Sequence, residues 1–274
     1  ILVALLLGFL IYRWTKELAG TVAGLFALLL YVADPNIIAH SHYMTTDIGI
    51  AAALFASFYF FVRFLRNPNR KNILLAGTFL GLAELTKFSA VLLFPIFGLF
   101  AILYGFTRPA GAITTMTERF GNMFRFIGRY IGVVLVAFAL IWVVYAANTV
   151  TMPGEKLVEI ADIKLGQPNA AARFAHSLVE TTSHSALLKP FSTYFLGVGM
   201  VFERVGGGNN HYFLGAVSGE ASPWYFPIIF LLKETPPLLI LLLGTTAYTV
   251  YRIGKTIMKT SVRALPHLFA HSFQ

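Results

Sequence analysis

Long apolar runs alternate with short polar segments along this chain. Residues 17–33, 48–65, 88–106, 130–148 and 224–251 each have the length and character of a membrane-crossing helix, which needs about 17 to 25 largely apolar residues. Ile1–Tyr12 reads as the tail of a further crossing, and Ile73–Thr86, only fourteen residues long, predicts a tilted crossing or half of a re-entrant pair with 88–106. Counting both gives seven crossings. Between the second and third lies a polar run, Asp34 to Asp47, that holds two histidines, several hydroxyls and two carboxylates. Ionisable groups at a membrane boundary are costly, and they mark candidate substrate sites.

Composition agrees with the pattern. Hydrophobic residues make up 57% of the 274 and charged residues 12%, against about 25% charged in a soluble domain. Mean hydropathy is +0.71. The expected fold is an all-α integral membrane protein, a polytopic helix bundle with one large extracytoplasmic loop. Cysteine is absent, which excludes a disulfide framework or a thiolate metal site. The chain opens inside an apolar run without an initiator Met, so it is expected to be a piece of a longer polytopic protein.

The charges orient the crossings. Connecting segments 13–17, 63–72, 107–129 and 252–263 hold fourteen Lys/Arg and two acids, whereas 34–47 and 149–222 hold five Lys/Arg and eight acids. Basic residues collect on the cytoplasmic side, so the first set is expected in the cytoplasm. The net charge of +9 is thereby explained as orientation signal and contact with anionic lipid, and nucleic acid is not an expected partner. Residues 1–148 are read as transmembrane helices with an extracytoplasmic segment at 34–47. Residues 149–222 form an extracytoplasmic loop region, long enough to be functional. Residues 223–274 supply an interfacial segment, a transmembrane helix and a basic cytoplasmic tail.

Five residues on the non-cytoplasmic face are the candidates for chemistry. Asp47 follows Thr45-Thr46 and opens a crossing; it either caps that helix or faces a polar cavity and holds a hydroxyl, a metal or a cation. His40 and His42 stand two apart and diverge on either a strand or a helix. A shared metal would need further ligands, with His176, His184 and His211 the only histidines in the loop region. A divalent metal is therefore an open alternative, and no other cofactor is indicated. Lys87 lies between two crossings, three residues after Glu84. It reads as a snorkelling side chain paired with Glu84, or as a point charge for a lipid phosphate. Lys233 precedes Glu234-Thr235-Pro236-Pro237. If a helix restarts near Pro236, a favourable first-turn position, Lys233 sits at headgroup level; in one straight helix it would lie deep in the bilayer. Gly206–Asn210 lacks the flanking elements of a phosphate loop and reads as a flexible turn.

In their order, Pro35-x4-His40-x-His42-x4-Asp47, Leu85-Thr86-Lys87-Phe88-Ser89, Tyr212-Phe213-Leu214-Gly215 and Trp224-Tyr225-Phe226-Pro227 with Lys233-Glu234-Thr235-Pro236-Pro237 form a set. It resembles the protein O-mannosyltransferase clan and, more broadly, the bacterial phospholipid-carrier-dependent glycosyltransferases, including the aminoarabinose transferases that modify lipid A. The resemblance implies the GT-C architecture and an inverting transfer of a sugar from a polyprenyl-phosphate donor to an extracytoplasmic acceptor, in a multi-pass bacterial inner-membrane protein. It implies that Lys87 and Lys233 neutralise the departing phosphate, that His40 and His42 line the substrate site, and that Asp47 orients an acceptor, a basic side chain or a metal. The family's general base is expected in a loop preceding Ile1, so this piece alone is expected to be inactive. Relatives usually carry arginine at position 42; histidine is a weaker, pH-dependent partner for anions. A transporter or lipid flippase is the alternative, accounting for intramembrane Lys and Asp but not for the one-sided loop region. A non-catalytic scaffold is a third reading.

Overall fold

The apolar runs fold as helices. The computed structural model describes residues 1–43, 45–107, 115–149, 151–165, 170–206, 210–219 and 222–270, with side chains to residue 255. Two compact units result, Ile1–Asn209 and Asn210–Gln274.

The first unit begins with α1 (Leu2–Ala19) and α2 (Thr21–Ala33), which meet at Gly20. The sequence reading placed this connection at 13–17; the helix instead runs through those residues. Arg13 and Glu17 are one turn apart and joined at 3.2 Å, a spacing that supports a helix. Gly20, at φ 90°, is the residue that can turn the chain. Tyr31 Oη donates to the Ala4 carbonyl at 2.8 Å and ties α2 back onto α1. A bend of 62° separates α2 from the short α3 (Pro35–His42). Asp34 caps α3, accepting from the amides of Asn36 and Ile37 at 2.8 and 3.1 Å, and Pro35 takes the first-turn position where its missing N–H costs nothing.

α4 (Asp47–Arg66) and α5 (Arg70–Thr86) form an antiparallel hairpin closed by three residues. Ser57 Oγ lies 2.7 Å from the carbonyls of both Ala53 and Phe79 and links the two helices. A 3₁₀ turn (Phe88–Leu92) leads into α6 (Leu93–Thr107), and α7 (Met116–Thr149) returns beside α5. A Cβ at Gly77 would stand 2.6 Å from the Val133 carbonyl, so this close approach of α5 to α7 depends on glycine. Small residues at such crossings let membrane helices pack without a hydrophobic driving force. Phe61, Phe64, Leu80, Phe97, Phe126 and Val133 are buried between these helices.

The loop region 149–222 is mostly helical where it is described. α8 (Gly154–Lys164), α9 (Ala170–Ser183) and α10 (Lys189–Gly206) bury Leu157, Ala161, Ala172 and Val179 among themselves. Tyr194 and Val198 of α10 pack on Ile141 of α7. Trp142 Nε1 donates to the Leu187 carbonyl at 2.7 Å. Most of the Gly206–Asn210 run lies outside the described residues.

The second unit opens with a hairpin of β1 (His211–Phe213) and β2 (Ala216–Ser218), with Tyr212 opposite Val217. α11 (Tyr225–Lys233) follows, then α12 (Pro236–Ala270). The break at Glu234-Thr235 and the first-turn place of Pro236 match the first of the two readings of residues 224–251, and rule out one straight helix.

Four described helices are long and apolar enough to cross a membrane: Asp47–Arg66, Phe88–Thr107, Met116–Thr149 and Pro236–Lys255, with the bent pair α2–α3 a fifth candidate. Of the other two segments counted from hydropathy, α1 carries three charged residues and α5 is 17 residues long. The all-α polytopic membrane fold is what the chain adopts.

Candidate functional site

The α4–α5 hairpin explains why residues forty positions apart meet. Asp47 is the first residue of α4, and Lys87 follows the last residue of α5. At about 1.5 Å per residue, helices of 20 and 17 residues joined by a short turn return the chain to the level at which it started. Lys87 Nζ donates to Asp47 Oδ1 at 3.5 Å. On the other side, His40 Nδ1 of α3 lies 3.6 Å from Asp47 Oδ2, beyond hydrogen-bonding length. The carboxylate therefore stands between an ammonium and an imidazole supplied by three different elements.

Asp47 is not the cap of its helix. Thr46 occupies that position and makes no side-chain cap bond, and Asp47 is in the first turn. A carboxylate there is favoured by the helix dipole, which leaves its oxygens available to Lys87 and His40. The local Glu84–Lys87 pair is not formed either. Glu84 is 1% exposed, and its Oε2 accepts from Tyr194 Oη of α10 at 3.0 Å. Its Oε1 is buried and has no hydrogen-bond partner among the described residues.

That bond ties the end of α5 to the α8–α10 region. The next residues reinforce the junction, because a Cβ at Gly197 of α10 would run into the ring of Phe88. Lys87 is held between these two contacts, with its backbone extended at φ −158° and its N–H bonded to Ala83. Tyr194 is the supporting residue that sequence reasoning missed. Its distance of 110 positions from Glu84 left only the aromatic character of 190–202 as a signal.

His40 and His42 diverge as expected. His42 borders a cavity of about 580 Å³ walled mostly by apolar side chains of α1, α2 and α3, among them Leu5, Phe9, Leu28 and Val32. His176 of α9 bonds Asp162 of α8 at 2.6 Å. Among the described residues no three His, Asp or Glu side chains converge as a metal site. Lys233 belongs to the second unit, exposed at the C-terminal end of α11.

The Asp47, Lys87, His40 and His42 side chains are half exposed or partly buried, so polar ligands have access to them. A solvent-accessible ammonium can bind an anion, and the carboxylate beside it limits the net charge of the site. The cavity that His42 borders is lined mostly by hydrocarbon.

Residues 1–142 match the family model of the dolichyl-phosphate-mannose-protein mannosyltransferases. The match spans more than half of the chain and includes His40, His42, Asp47 and Lys87; the chain belongs to that family. No curated protein and no solved structure gives a significant match. The family is one of multi-pass membrane glycosyltransferases that take their sugar from polyprenyl-phosphate donors.

Proposed function

We propose that the α3–α4–α5 junction is the phosphate end of a donor site for sugar transfer to an extracytoplasmic acceptor, with inversion at the anomeric carbon. The observation that carries this reading is the contact of Lys87 with Asp47 at 3.5 Å, flanked by His40 at 3.6 Å. During transfer the bond from the anomeric carbon to the phosphate oxygen breaks and its electron pair leaves with the phosphate. The acceptor oxygen bonds the opposite face of that carbon and loses its proton to a base outside this group of residues. Lys87 stabilises the charge that builds on the departing phosphate, an effect that is large when donors are fixed in advance. Asp47 is the positioning partner of Lys87, and the tie between Glu84 and Tyr194 fixes the helix end that presents it. His42 borders the apolar cavity, which suits the isoprenoid end of the donor. For Lys233, in the second unit, a role toward a donor phosphate rests on the resemblance alone. The distribution of basic residues favours a setting with 149–222 outside the cytoplasm, and the resemblance suggests a bacterial inner membrane.

The test is sugar transfer from a polyprenyl-phosphate donor in membranes holding the full-length protein. Asp47→Asn and Lys87→Ala are expected to abolish or sharply reduce product at unchanged protein level. Full activity in both variants would remove the site assignment. Substrate flux into vesicles with no covalent product would instead select the transporter reading.

A further inference from the structure

The far end of the α4–α5 hairpin holds a second polar site. α4 has 20 residues, which puts its ends about 30 Å apart, so the turn at residues 67–69 lies well away from Asp47. A cavity of about 350 Å³ opens at this turn. It is lined by Arg13 of α1, Arg63 of α4, Asn67 and Asn69 of the turn, and Lys71 and Asn72 of α5. None of these side chains is a carboxylate.

The cavity is a built feature. Tyr59 is 1% exposed, and its hydroxyl accepts from Arg63 Nη1 at 2.6 Å and donates to Glu17 Oε1 at 2.9 Å. Arg13 Nε donates to that same oxygen at 3.2 Å. The Arg63 guanidinium also stacks over the Tyr59 ring, 5.3 Å from its centre. Asn72 holds the turn, donating through Nδ2 to the Asn67 carbonyl at 2.7 Å, while Asn69 Oδ1 accepts from the Asn72 amide at 2.9 Å. One carboxylate, Glu17, is thus set against Arg13, Arg63 and Lys71, and two positive charges are left over around the cavity. A fixed guanidinium fork beside an ammonium is well suited to a phosphate group. Arg63 lies in the last turn of the candidate span Asp47–Arg66, and Asn67, Asn69, Lys71 and Asn72 directly follow it, on the side to which the distribution of basic residues assigns the cytoplasm. Basic pockets between helices on that side take up phosphate-bearing headgroups.

We propose that this cavity is a binding site for the phosphate of an anionic phospholipid headgroup, separate from the sugar-donor site and independent of the sugar-transfer reading. The full chain would be placed in phosphatidylcholine nanodiscs doped with phosphatidylglycerol, and bound anionic lipid counted by native mass spectrometry. Wild-type protein should retain phosphatidylglycerol in preference to phosphatidylcholine. Lys71→Gln should raise the phosphatidylglycerol fraction needed for half-occupancy about fivefold, the effect of one interfacial cation. Arg70→Gln removes the same charge from the neighbouring residue, which does not line the cavity, and should cost clearly less occupancy. Equal losses in the two variants, or no preference for the anionic lipid, would overturn the proposal. If soluble glycerol phosphate displaces the lipid at equal concentration, a free phosphate compound is the occupant and the lipid assignment fails.

Discussion

Two carboxylates lie close to one end of the α4–α5 hairpin, and they have opposite surroundings. The Asp47 side chain is 50% exposed, between Lys87 and His40. Glu84 is 1% exposed, with a tyrosine hydroxyl on one oxygen and nothing on the other. The exposed pair adds little to stability, because solvent-accessible ion pairs contribute about 0–1 kcal/mol. The buried group matters far more to the fold, since stranding it costs the desolvation that its partner offsets. Sequence distance points the wrong way here. Lys87 is three residues from Glu84 and forty from Asp47, yet it meets Asp47. The lesson is that the exposed carboxylate stands where solvent can reach it, whereas the buried one ties the end of α5 to α10.

The strongest way to break that division is through Lys87. If it stabilises the departing phosphate, Lys87→Ala should lower the rate of sugar transfer about 10²–10³-fold, the usual cost of removing one pre-placed charge-stabilising group. Thermal unfolding of the purified protein should barely change. A variant that loses its fold along with its activity would place Lys87 on the structural side of the comparison.

Next in size is the buried pair. Tyr194→Phe leaves Glu84 without its donor and should cost about 1–3 kcal/mol of stability, seen as faster heat inactivation in detergent. Glu84→Leu combined with Tyr194→Phe removes both polar partners and should recover much of that loss, giving a coupling energy in a double-mutant cycle. Additive losses would show that the hydrogen bond between them is not what holds α10 against α5.

Much of this was readable before the fold. Most of the helices follow from the apolar runs, and the crossing count put Asp47 and Lys87 on one face, although residues 73–86 were open between a tilted crossing and half of a re-entrant pair until α5 emerged at 17 residues. The break before Pro236 was one of two readings of residues 224–251, and the structure takes it because proline suits the first turn of a helix. The partner of Glu84 was not legible, because hydropathy registers α8–α10 only as a mixed polar stretch and says nothing of which aromatic ring turns toward α5. The α1–α2 connection was misplaced for a related reason. Arg13 and Glu17 look like loop residues in a hydropathy profile, but their spacing of four and the buried hydroxyl of Tyr59 keep them helical. Membership in the mannosyltransferase family supports the donor class and leaves the acceptor to experiment.

A smaller effect sharpens the exposed side. Asp47→Asn keeps the shape of the side chain and removes its charge, so stability should shift by no more than about 1 kcal/mol while sugar transfer falls. A large loss of stability would mean that Asp47 anchors the α3–α4–α5 junction, and the contrast with Glu84 would collapse.

The smallest expected change is at His40. Its Nδ1 is 3.6 Å from Asp47, past the length of a hydrogen bond, and the nitrogen has no other partner among the described residues. A contact of that length on a half-exposed carboxylate is worth at most about 1 kcal/mol. His40→Gln should therefore slow transfer by no more than about fivefold, which is what such an energy amounts to in a barrier. Steady-state rates at saturating donor would measure it directly. If His40→Gln were as damaging as Lys87→Ala, the imidazole would be the partner that Asp47 chiefly serves, and the phosphate would lie nearer α3 than the end of α5.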